Sequence, residues 1–250
     1  MKKFELTSEF VTNIFGIKLF RIKALVEFGG VEVGELGGYI EKEENLDHDG
    51  TAWVYGDARV YGNAEVYGDA RVCGNAEVYG DARVCGNARV CGDAWVSGNA
   101  WVSGNAEVCG NAWVYGDARV YGDARVCGNA RVCGDAWVSG NAEVCGNAWV
   151  YGDARVYGDA RVYGDAEVYG DAWVCGDADY VYAHGFGSVN RTTTFFRLKD
   201  GGVGVRCGCF YGTLGQFREK VQETHGDGKL AQEYLMLADL MELRFTKEEG

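Results

Sequence analysis

A six-residue phrase, Gly-Asp/Asn-Ala-x-Val-Tyr/Cys/Ser, repeats without an insertion from residue 50 to about residue 181 of the 250-residue chain. Glycine recurs at every sixth position from Gly50 to Gly176, which gives twenty-two consecutive hexapeptides. Alanine fills the third place in all of them, and valine fills the fifth place in twenty-one, the exception being Tyr180. So strict a period over half a chain predicts a mainly β protein built on a parallel β-solenoid, in which each coil packs only on its neighbours.

The alternation inside the hexapeptide predicts how each coil is built. Alanine and valine point inward and the residue between them points outward, so Ala-x-Val forms a short strand. The following Tyr/Cys/Ser-Gly-Asp/Asn forms a corner, because these residues tolerate the backbone angles of tight turns. Three strands and three corners close a triangular coil of eighteen residues, which gives about seven coils. The interior pattern is similar to that of the left-handed hexapeptide β-helix. Glycine stands one place later than in that pattern, so left-handedness is favoured but stays open.

A flat coil of twelve residues with two edges is the alternative. With twelve residues per coil, six of the seven tryptophans would lie above one another at the same position of successive coils, that is, in one column. Under eighteen, an unbroken column is formed by Cys73, Cys91, Cys109, Cys127 and Cys145. We expect eighteen because three edges enclose the small Ala and Val side chains, and burying each valine contributes about 1.5–2 kcal/mol. Such uniform small side chains predict a filled interior without a ligand cavity.

Composition excludes several classes of function. The net charge is −13 and the repeats are acidic, so the solenoid is a poor candidate for binding nucleic acid. No stretch approaches the length of a membrane span, and the N-terminal sequence lacks the apolar core of a signal peptide, so we expect a cytoplasmic protein that does not bind a membrane. Its ten cysteines are then mostly free thiols.

The segments that flank the repeats differ from them in pattern. Residues 1–49 read as a β-rich cap that contains a hairpin over residues 10–24, and residues 50–182 form the solenoid. Residues 183–250 read as a small α+β domain with a hairpin formed by residues 192–198 and 203–211. Thr213-Leu-Gly-Gln216 predicts a capping box that opens a helix ending near His225-Gly226, and residues 229–245 predict a second amphipathic helix.

The segment that precedes the repeats, together with the first repeat, resembles a known protein family. Arg21-Ile-Lys-Ala-Leu-Val-Glu-Phe, Leu36-Gly-Gly-Tyr-Ile-Glu, Asn45-Leu46 and Gly50-Thr-Ala-Trp-Val-Tyr resemble the first module of bacterial and phage hexapeptide-repeat proteins. Such proteins are commonly labelled acyltransferases or polymer-forming proteins on repeat similarity alone. The tail, with Gly187-Ser-Val-Asn-Arg-Thr-Thr-Thr-Phe-Phe-Arg197 and Cys207-Gly-Cys-Phe-Tyr-Gly-Thr213, is similar to a module of prophage-encoded proteins. The resemblance implies a fold and a phage origin, and it supplies no catalytic residue.

Candidate chemical sites are few. Acyltransferases of this fold resemble one another in a catalytic histidine and an extruded loop, yet the repeats contain neither, and the three histidines of the chain lie outside them. Cys207 and Cys209, with His225 nearby in sequence, lack the usual Cys-x-x-Cys spacing and a fourth ligand of a zinc site. The column Asp117, Asp135, Asp153 and Asp171 is read as a corner-capping series rather than a calcium site. We therefore expect no catalytic residue, no metal and no cofactor.

The outward positions carry the functional prediction. Under eighteen residues per coil, six of the seven tryptophans fall on two faces. They alternate with arginine on one of these faces and lie among arginine and glutamate on the other, while the third face is mainly charged. Arginine beside tryptophan favours cation–π stacking, and large exposed aromatic patches mark interfaces. The predicted binding residues are Trp95, Trp101, Trp113, Arg119, Trp137, Trp149, Arg155 and Trp173. They predict a non-enzymatic scaffold that binds a protein partner or forms a homo-oligomer. The alternatives are an acyltransferase with a site between subunits and a filament protein that resembles bactofilins in coil architecture.

Overall fold

The computed structural model describes residues 1–187 and 189–246, and it confirms the eighteen-residue coil. Strands eighteen residues apart pair in parallel and in register, as Trp95 pairs with Trp113 and Val90 with Val108. The twelve-residue alternative is therefore wrong. The left-handed twist of the coil stays a prediction.

The strands and helices follow the chain in three groups. The first group is β1 (Phe4–Thr12), β2 (Lys18–Ala24) and β3 (Leu36–Ile40). The coil strands are β4 (Trp53–Val54), β5 (Arg59–Val60), β6 (Glu65–Val66), β7 (Arg71–Val72), β8 (Glu77–Val78), β9 (Arg83–Val84), β10 (Arg89–Val90), β11 (Trp95–Val96), β12 (Trp101–Val102), β13 (Glu107–Val108), β14 (Trp113–Val114), β15 (Arg119–Val120), β16 (Arg125–Val126), β17 (Arg131–Val132), β18 (Trp137–Val138), β19 (Glu143–Val144), β20 (Trp149–Tyr151), β21 (Arg155–Val156), β22 (Arg161–Val162), β23 (Glu167–Tyr169) and β24 (Trp173–Val174). The last group is β25 (Tyr180–Phe186), β26 (Arg191–Arg197), β27 (Val203–Cys207), β28 (Phe210–Thr213), α1 (Leu214–His225) and α2 (Lys229–Phe245).

Three sheets form the sides of the solenoid. Sheet I runs β1-β2-β3-β5-β8-β11-β14-β17-β20-β23, sheet II runs β6-β9-β12-β15-β18-β21-β24, and sheet III runs β4-β7-β10-β13-β16-β19-β22. Strand β3 pairs in parallel with β5 and so adds one rung to sheet I ahead of the repeats. The solenoid therefore has about eight turns, one more than the hexapeptides alone predict.

The interior of the coils is filled by the repeating alanines and valines. From Ala52 to Val174 each of these side chains is at most 1 % exposed, as their period predicts. The corners require glycine for two reasons, as Gly98 shows. Its φ of 67° is unfavourable for residues with a side chain, and a Cβ there would lie 3.0 Å from the backbone nitrogen of Gly116. The regular stack of coils, called the lattice below, ends at the last hexapeptide. There residues 177–179 form a 3-10 helix and Ala178 is exposed.

The N-terminal segment covers the first coil. Strands β1 and β2 form the expected antiparallel hairpin, and β2 pairs antiparallel with β3. The Lys3 ammonium is 2 % exposed and donates to the carbonyl oxygen of Ala52 at 3.0 Å. The amide nitrogen of Asn45 is equally buried and donates to the carbonyl oxygen of Ala64 at 2.8 Å. Carbonyl groups that have no preceding coil are thus satisfied by side-chain donors.

The C-terminal segment covers the last coil with side-chain acceptors. The bonds run from Arg161 N to Asp177 Oδ1 at 2.9 Å, from Tyr163 N to the Tyr180 hydroxyl at 3.1 Å, from Glu167 N to Thr194 Oγ1 at 2.9 Å, and from Asp171 N to the Tyr211 hydroxyl at 3.4 Å. Backbone N–H groups that lack a following coil are therefore paired.

A four-stranded antiparallel sheet, β25-β26-β27-β28, links the solenoid to the two helices. Phe196 packs with the solenoid interior, whereas its neighbour Phe195 packs with α1 and α2, so the sheet separates two cores. Helix α1 begins after Thr213, whose hydroxyl accepts from Gln216 N in a capping box, and it ends before Gly226, as predicted. The second helix also has its predicted bounds.

The tail sheet differs from the sequence expectation in two respects. Residues 180–186 form an additional strand that pairs with β26. Residues 203–211 are not one strand, because Gly208 has φ 59° and turns the chain between β27 and β28. Cys207 and Cys209 therefore do not share the face of one strand. Ser188, part of the tail motif quoted above, and residues 247–250 lie outside the described residues.

Candidate functional site

The outward side chains of sheets I and II form two aromatic arrays. The lattice sets their spacing, because the middle residue of each hexapeptide pairs in register with the residue eighteen positions away. Trp95, Trp113 and Trp149 lie on sheet I. The sheet II members of the predicted set are Trp101, Arg119, Trp137, Arg155 and Trp173. The eight residues predicted to bind thus lie on two faces rather than in one cluster.

The sheet I array is a continuous stack. The rings of Trp95 and Trp113 are parallel within 5°, with centroids 4.9 Å apart. The Arg131 guanidinium lies between two indoles, 4.8 Å from the ring centre of Trp113 and 4.7 Å from that of Trp149. Both faces of that cation are therefore in contact with π-systems, which fixes its position on the surface.

The sheet II array alternates cation and ring. Arg119 lies 5.1 Å from the ring centre of Trp137, and Arg155 lies 4.8 Å from the same ring and 5.5 Å from that of Trp173. Lys199 of the tail extends the array, with its ammonium 5.6 Å from the Trp173 ring. The cation–π stacking expected from the sequence alternation is present from Arg119 to Trp173, whereas Trp101 Nε1 instead donates to Cys85 Sγ at 3.1 Å.

Exposure differs between the tryptophans. Trp101, Trp113 and Trp149 are 39 %, 36 % and 37 % exposed, whereas Trp95 and Trp137 are half-buried. Three large aromatic side chains are thus held at fixed positions with more than a third of their surface in water. An array of this kind can supply apolar contact area without ordering flexible side chains.

Sheet III has a different surface. Its outward residues form ion pairs, with Arg125 Nε 3.3 Å from a carboxylate oxygen of Glu107 and Arg89 3.4 Å from the other. Trp53, at the first rung of this sheet, is fully buried, and its ring contacts Phe28 at a centroid distance of 5.3 Å. The repeat pattern places Trp53 on the charged face but carries no signal that the N-terminal segment covers it.

Sequence reasoning missed residues that complete the arrays. Arg131 holds the central place on sheet I, and its eighteen-residue spacing from Trp113 and Trp149 is the signal that identifies it. Tyrosines at the corners also stack: Tyr61 and Tyr79 are parallel within 3° at a centroid distance of 5.0 Å, but Tyr61 is buried in a cluster with Leu19 and Tyr39 and does not belong to the exposed arrays. The repeat pattern assigns the corner residues to turns and carries no signal for this stacking.

Two cavities lie at the ends of the solenoid. One of about 490 Å³ is lined by Glu43, Glu44, Asp47, His48 and Glu65 among others, and one of about 320 Å³ in the tail is lined by Cys207, Cys209 and His225 among others. Across residues 1–187 and 189–246, no group of three His, Cys, Asp or Glu side chains is arranged to hold a metal ion. In the aspartate column, Asp117 accepts a hydrogen bond from Asn99 at 2.8 Å, in keeping with a corner role.

These features define a parallel β-solenoid repeat protein. Seven segments match a family model described as the YdcK beta solenoid repeat, at residues 52–68, 70–86, 82–98, 88–104, 112–128, 124–140 and 160–176. Each matched segment is seventeen residues long, close to one coil, and all lie within the repeats. The similarity supports a repeat-based β-solenoid family for this region. A search of curated proteins found no match. No helix in the described part of the chain is both long and apolar enough to cross a membrane.

Proposed function

We propose that this chain is a non-enzymatic scaffold whose aromatic faces on sheets I and II bind a protein partner or a second copy of the chain. The observation that carries the proposal is the exposure of Trp101, Trp113 and Trp149 on a rigid lattice. Exposed indoles on a fixed surface lose little conformational freedom on binding, and tryptophan and arginine are enriched among the residues that dominate interface energies.

The surroundings of the histidines support a scaffold over the acyltransferase alternative. His48 stacks on Phe4 and accepts a hydrogen bond from Lys3 N, and His184 contacts Thr192 in the tail sheet. His225 packs against Tyr234. The three histidines thus lie in separate segments, and none lies in the repeats.

Coverage of both ends supports lateral association over the filament alternative. Growth by stacking of coils needs free strand edges, and here the side chains of Lys3 and Asn45 occupy one end while Thr194 and its neighbours occupy the other. The cytoplasmic location and the prophage origin belong to the same proposal, and both rest on the sequence alone.

The test compares two triple variants. In the first, Trp101, Trp113 and Trp149 are changed to threonine, which retains strand propensity. In the matched control, Arg89, Arg125 and Arg161 on sheet III are changed to threonine. We expect the tryptophan variant to lose self-association, measured as mass in solution by light scattering, or to lose capture of the partner that the wild-type chain retains. The control keeps both.

Two outcomes would count against the proposal. A tryptophan variant that folds, keeps the wild-type mass and retains every partner would exclude the aromatic faces and leave the tail as the candidate region. Turnover of acetyl-CoA by the wild-type chain would favour the acyltransferase instead.

A further inference from the structure

One corner of the solenoid carries a straight column of five cysteines. Each follows a valine of sheet III, and each backbone N–H donates at 2.9 Å to the valine carbonyl of the next coil. The column consists of Cys73, Cys91, Cys109, Cys127 and Cys145. Because the backbone pairing is the same at every rung, the five thiols have equivalent positions along the solenoid axis.

Two neighbouring rungs are already joined. Cys127 and Cys145 form a disulfide with their Cα atoms 4.7 Å apart, a separation within the range that disulfides span. Cys73, Cys91 and Cys109 are free thiols of intermediate burial. The lattice that brings Cys145 next to Cys127 also brings Cys109 next to Cys127 on the other side, since β13 pairs with β16 as β16 pairs with β19.

We propose that this column is a thiol–disulfide exchange site in which the disulfide moves from rung to rung. The Cys109 thiolate attacks Sγ of Cys127, so that the Cys109–Cys127 bond forms and the Cys127–Cys145 bond breaks. The electron pair leaves on Sγ of Cys145, which takes up the proton that Cys109 released. The number of disulfides and of thiols is unchanged, so the step requires no external oxidant or reductant.

The geometry of the column favours this step. Attack on a disulfide sulfur needs a thiolate beside it, and the backbone register places Cys109 on the rung next to Cys127, on the side opposite Cys145. Five thiols can form at most two disulfides between neighbours, so one thiol always remains to continue the exchange.

The other corners lack this property. The corner that contains Cys133 has Tyr115 and Tyr151 at the neighbouring rungs, so that thiol has no sulfur beside it in its column. In the cysteine column, burial and the adjacent Cys91 raise the pKa of the Cys109 thiol. Since the thiolate is the nucleophile, exchange is slow at neutral pH and becomes faster as the pH rises.

The test follows the position of the disulfide without any added redox reagent. The full chain, carrying the Cys127–Cys145 disulfide and eight free thiols, is held without oxygen at about pH 6 or about pH 9. The reaction is quenched with acid, free thiols are alkylated, and disulfides are mapped by mass spectrometry. We expect Cys109–Cys127 to appear at the higher pH at the expense of Cys127–Cys145, while the count of free thiols stays at eight. The rate should not depend on protein concentration.

Two variants complete the design. Cys109→Ser removes the attacking thiol beside the disulfide, and serine already occupies equivalent corner positions at Ser97, Ser103 and Ser139. In this variant we expect Cys127–Cys145 to stay in place at both pH values. Cys133→Ser, in another column, should behave as the wild type. An unchanged Cys127–Cys145 bond in the wild type at about pH 9, or loss of that bond in Cys109→Ser at the wild-type rate, would overturn the proposal.

Discussion

Hydrogen bonds between coils are made by the backbone throughout the solenoid, whereas at its two ends side chains of the flanking segments make several of them beside the remaining backbone bonds. In the lattice each strand N–H points to the next coil, as Trp95 N donates to Ala112 O at 2.9 Å. The first coil therefore has unpaired carbonyl groups and the last coil has unpaired N–H groups. Lys3 and Asn45 supply donors to the former, and residues such as Thr194 supply acceptors to the latter.

The two ends of a parallel solenoid therefore require opposite hydrogen-bonding groups. The first coil needs donors for its carbonyl groups, and the last coil needs acceptors for its N–H groups. A repeated residue can satisfy the lattice because every coil offers the same partner, but an end has to be matched by a single residue from elsewhere in the chain. Stability of the lattice is thus spread over many equivalent positions, while closure of the ends depends on a few side chains.

The largest effect is expected inside the lattice. Val114→Asp puts an unpaired carboxylate into a filled apolar interior and should cost several kcal/mol of unfolding free energy. Arg119→Thr on the adjacent surface removes only one exposed cation–π contact and should cost about 0.5–1 kcal/mol. Chemical denaturation followed by circular dichroism measures both. Equal losses in the two variants would contradict the filled interior.

A smaller loss of unfolding free energy is expected when a side-chain hydrogen bond at either end of the solenoid is removed. Thr194→Val leaves the Glu167 N–H without its buried acceptor, and Lys3→Met leaves the carbonyl of Ala52 without its donor. Each change should lower the unfolding free energy by about 1–3 kcal/mol, the cost of an unsatisfied buried polar group. Asn99→Ala at an exposed corner is the matched control and should stay within about 0.5 kcal/mol. If the end variants were as mild as this control, side-chain closure of the ends would not be required.

The same contrast explains how far the sequence could predict the fold. Periodicity was sufficient for the eighteen-residue register and the Ala/Val interior, and the Thr213–Gln216 capping box was sufficient for the start of α1. The burial of Trp53 and the turn at Gly208 were missed. The burial of Trp53 depends on a contact with Phe28 that has no period and no local sequence signal, whereas Gly208 is itself the local signal for the turn between β27 and β28.

The candidate site was predictable to a similar extent. Eighteen-residue spacing assigns six of the seven tryptophans to two faces, and the structure has them on sheets I and II. Their exposure could not be predicted, because it depends on how neighbouring rings and guanidinium groups stack, as Arg131 does between Trp113 and Trp149. The role of Lys199, at the end of the sheet II array, depends on the docking of the tail.

A pH-dependent effect is expected at the C-terminal end. Burial alone would raise the pKa of Asp179, but hydrogen bonds from Cys175 and the ion pair with Arg197 outweigh it and lower that pKa below 3.8. Because the folded-state pKa is depressed, the stabilisation is present above the unfolded value and is lost as the pH falls through the folded value. Asp179→Asn should therefore cost about 1 kcal/mol at neutral pH and less near pH 3. A difference between wild type and variant that is constant from about pH 7 to about pH 3 would contradict this assignment.

The smallest effect is expected on the aromatic faces, and it links stability to the proposed function. Arg131→Gln removes the cation between Trp113 and Trp149 and should cost about 0.5–1 kcal/mol, the range for exposed cation–π contacts. Arg71→Gln, in an equivalent outward position on sheet III, is the matched control and should cost less. Combining Arg131→Gln with Trp149→Thr in a double-mutant cycle isolates the coupling between the two side chains. A coupling within this range would mean that the lattice holds its shape without the array, so that the exposed indoles are free to serve binding. A coupling of several kcal/mol would instead make the tryptophans structural, as the end residues are, and would remove the main support for an interaction surface.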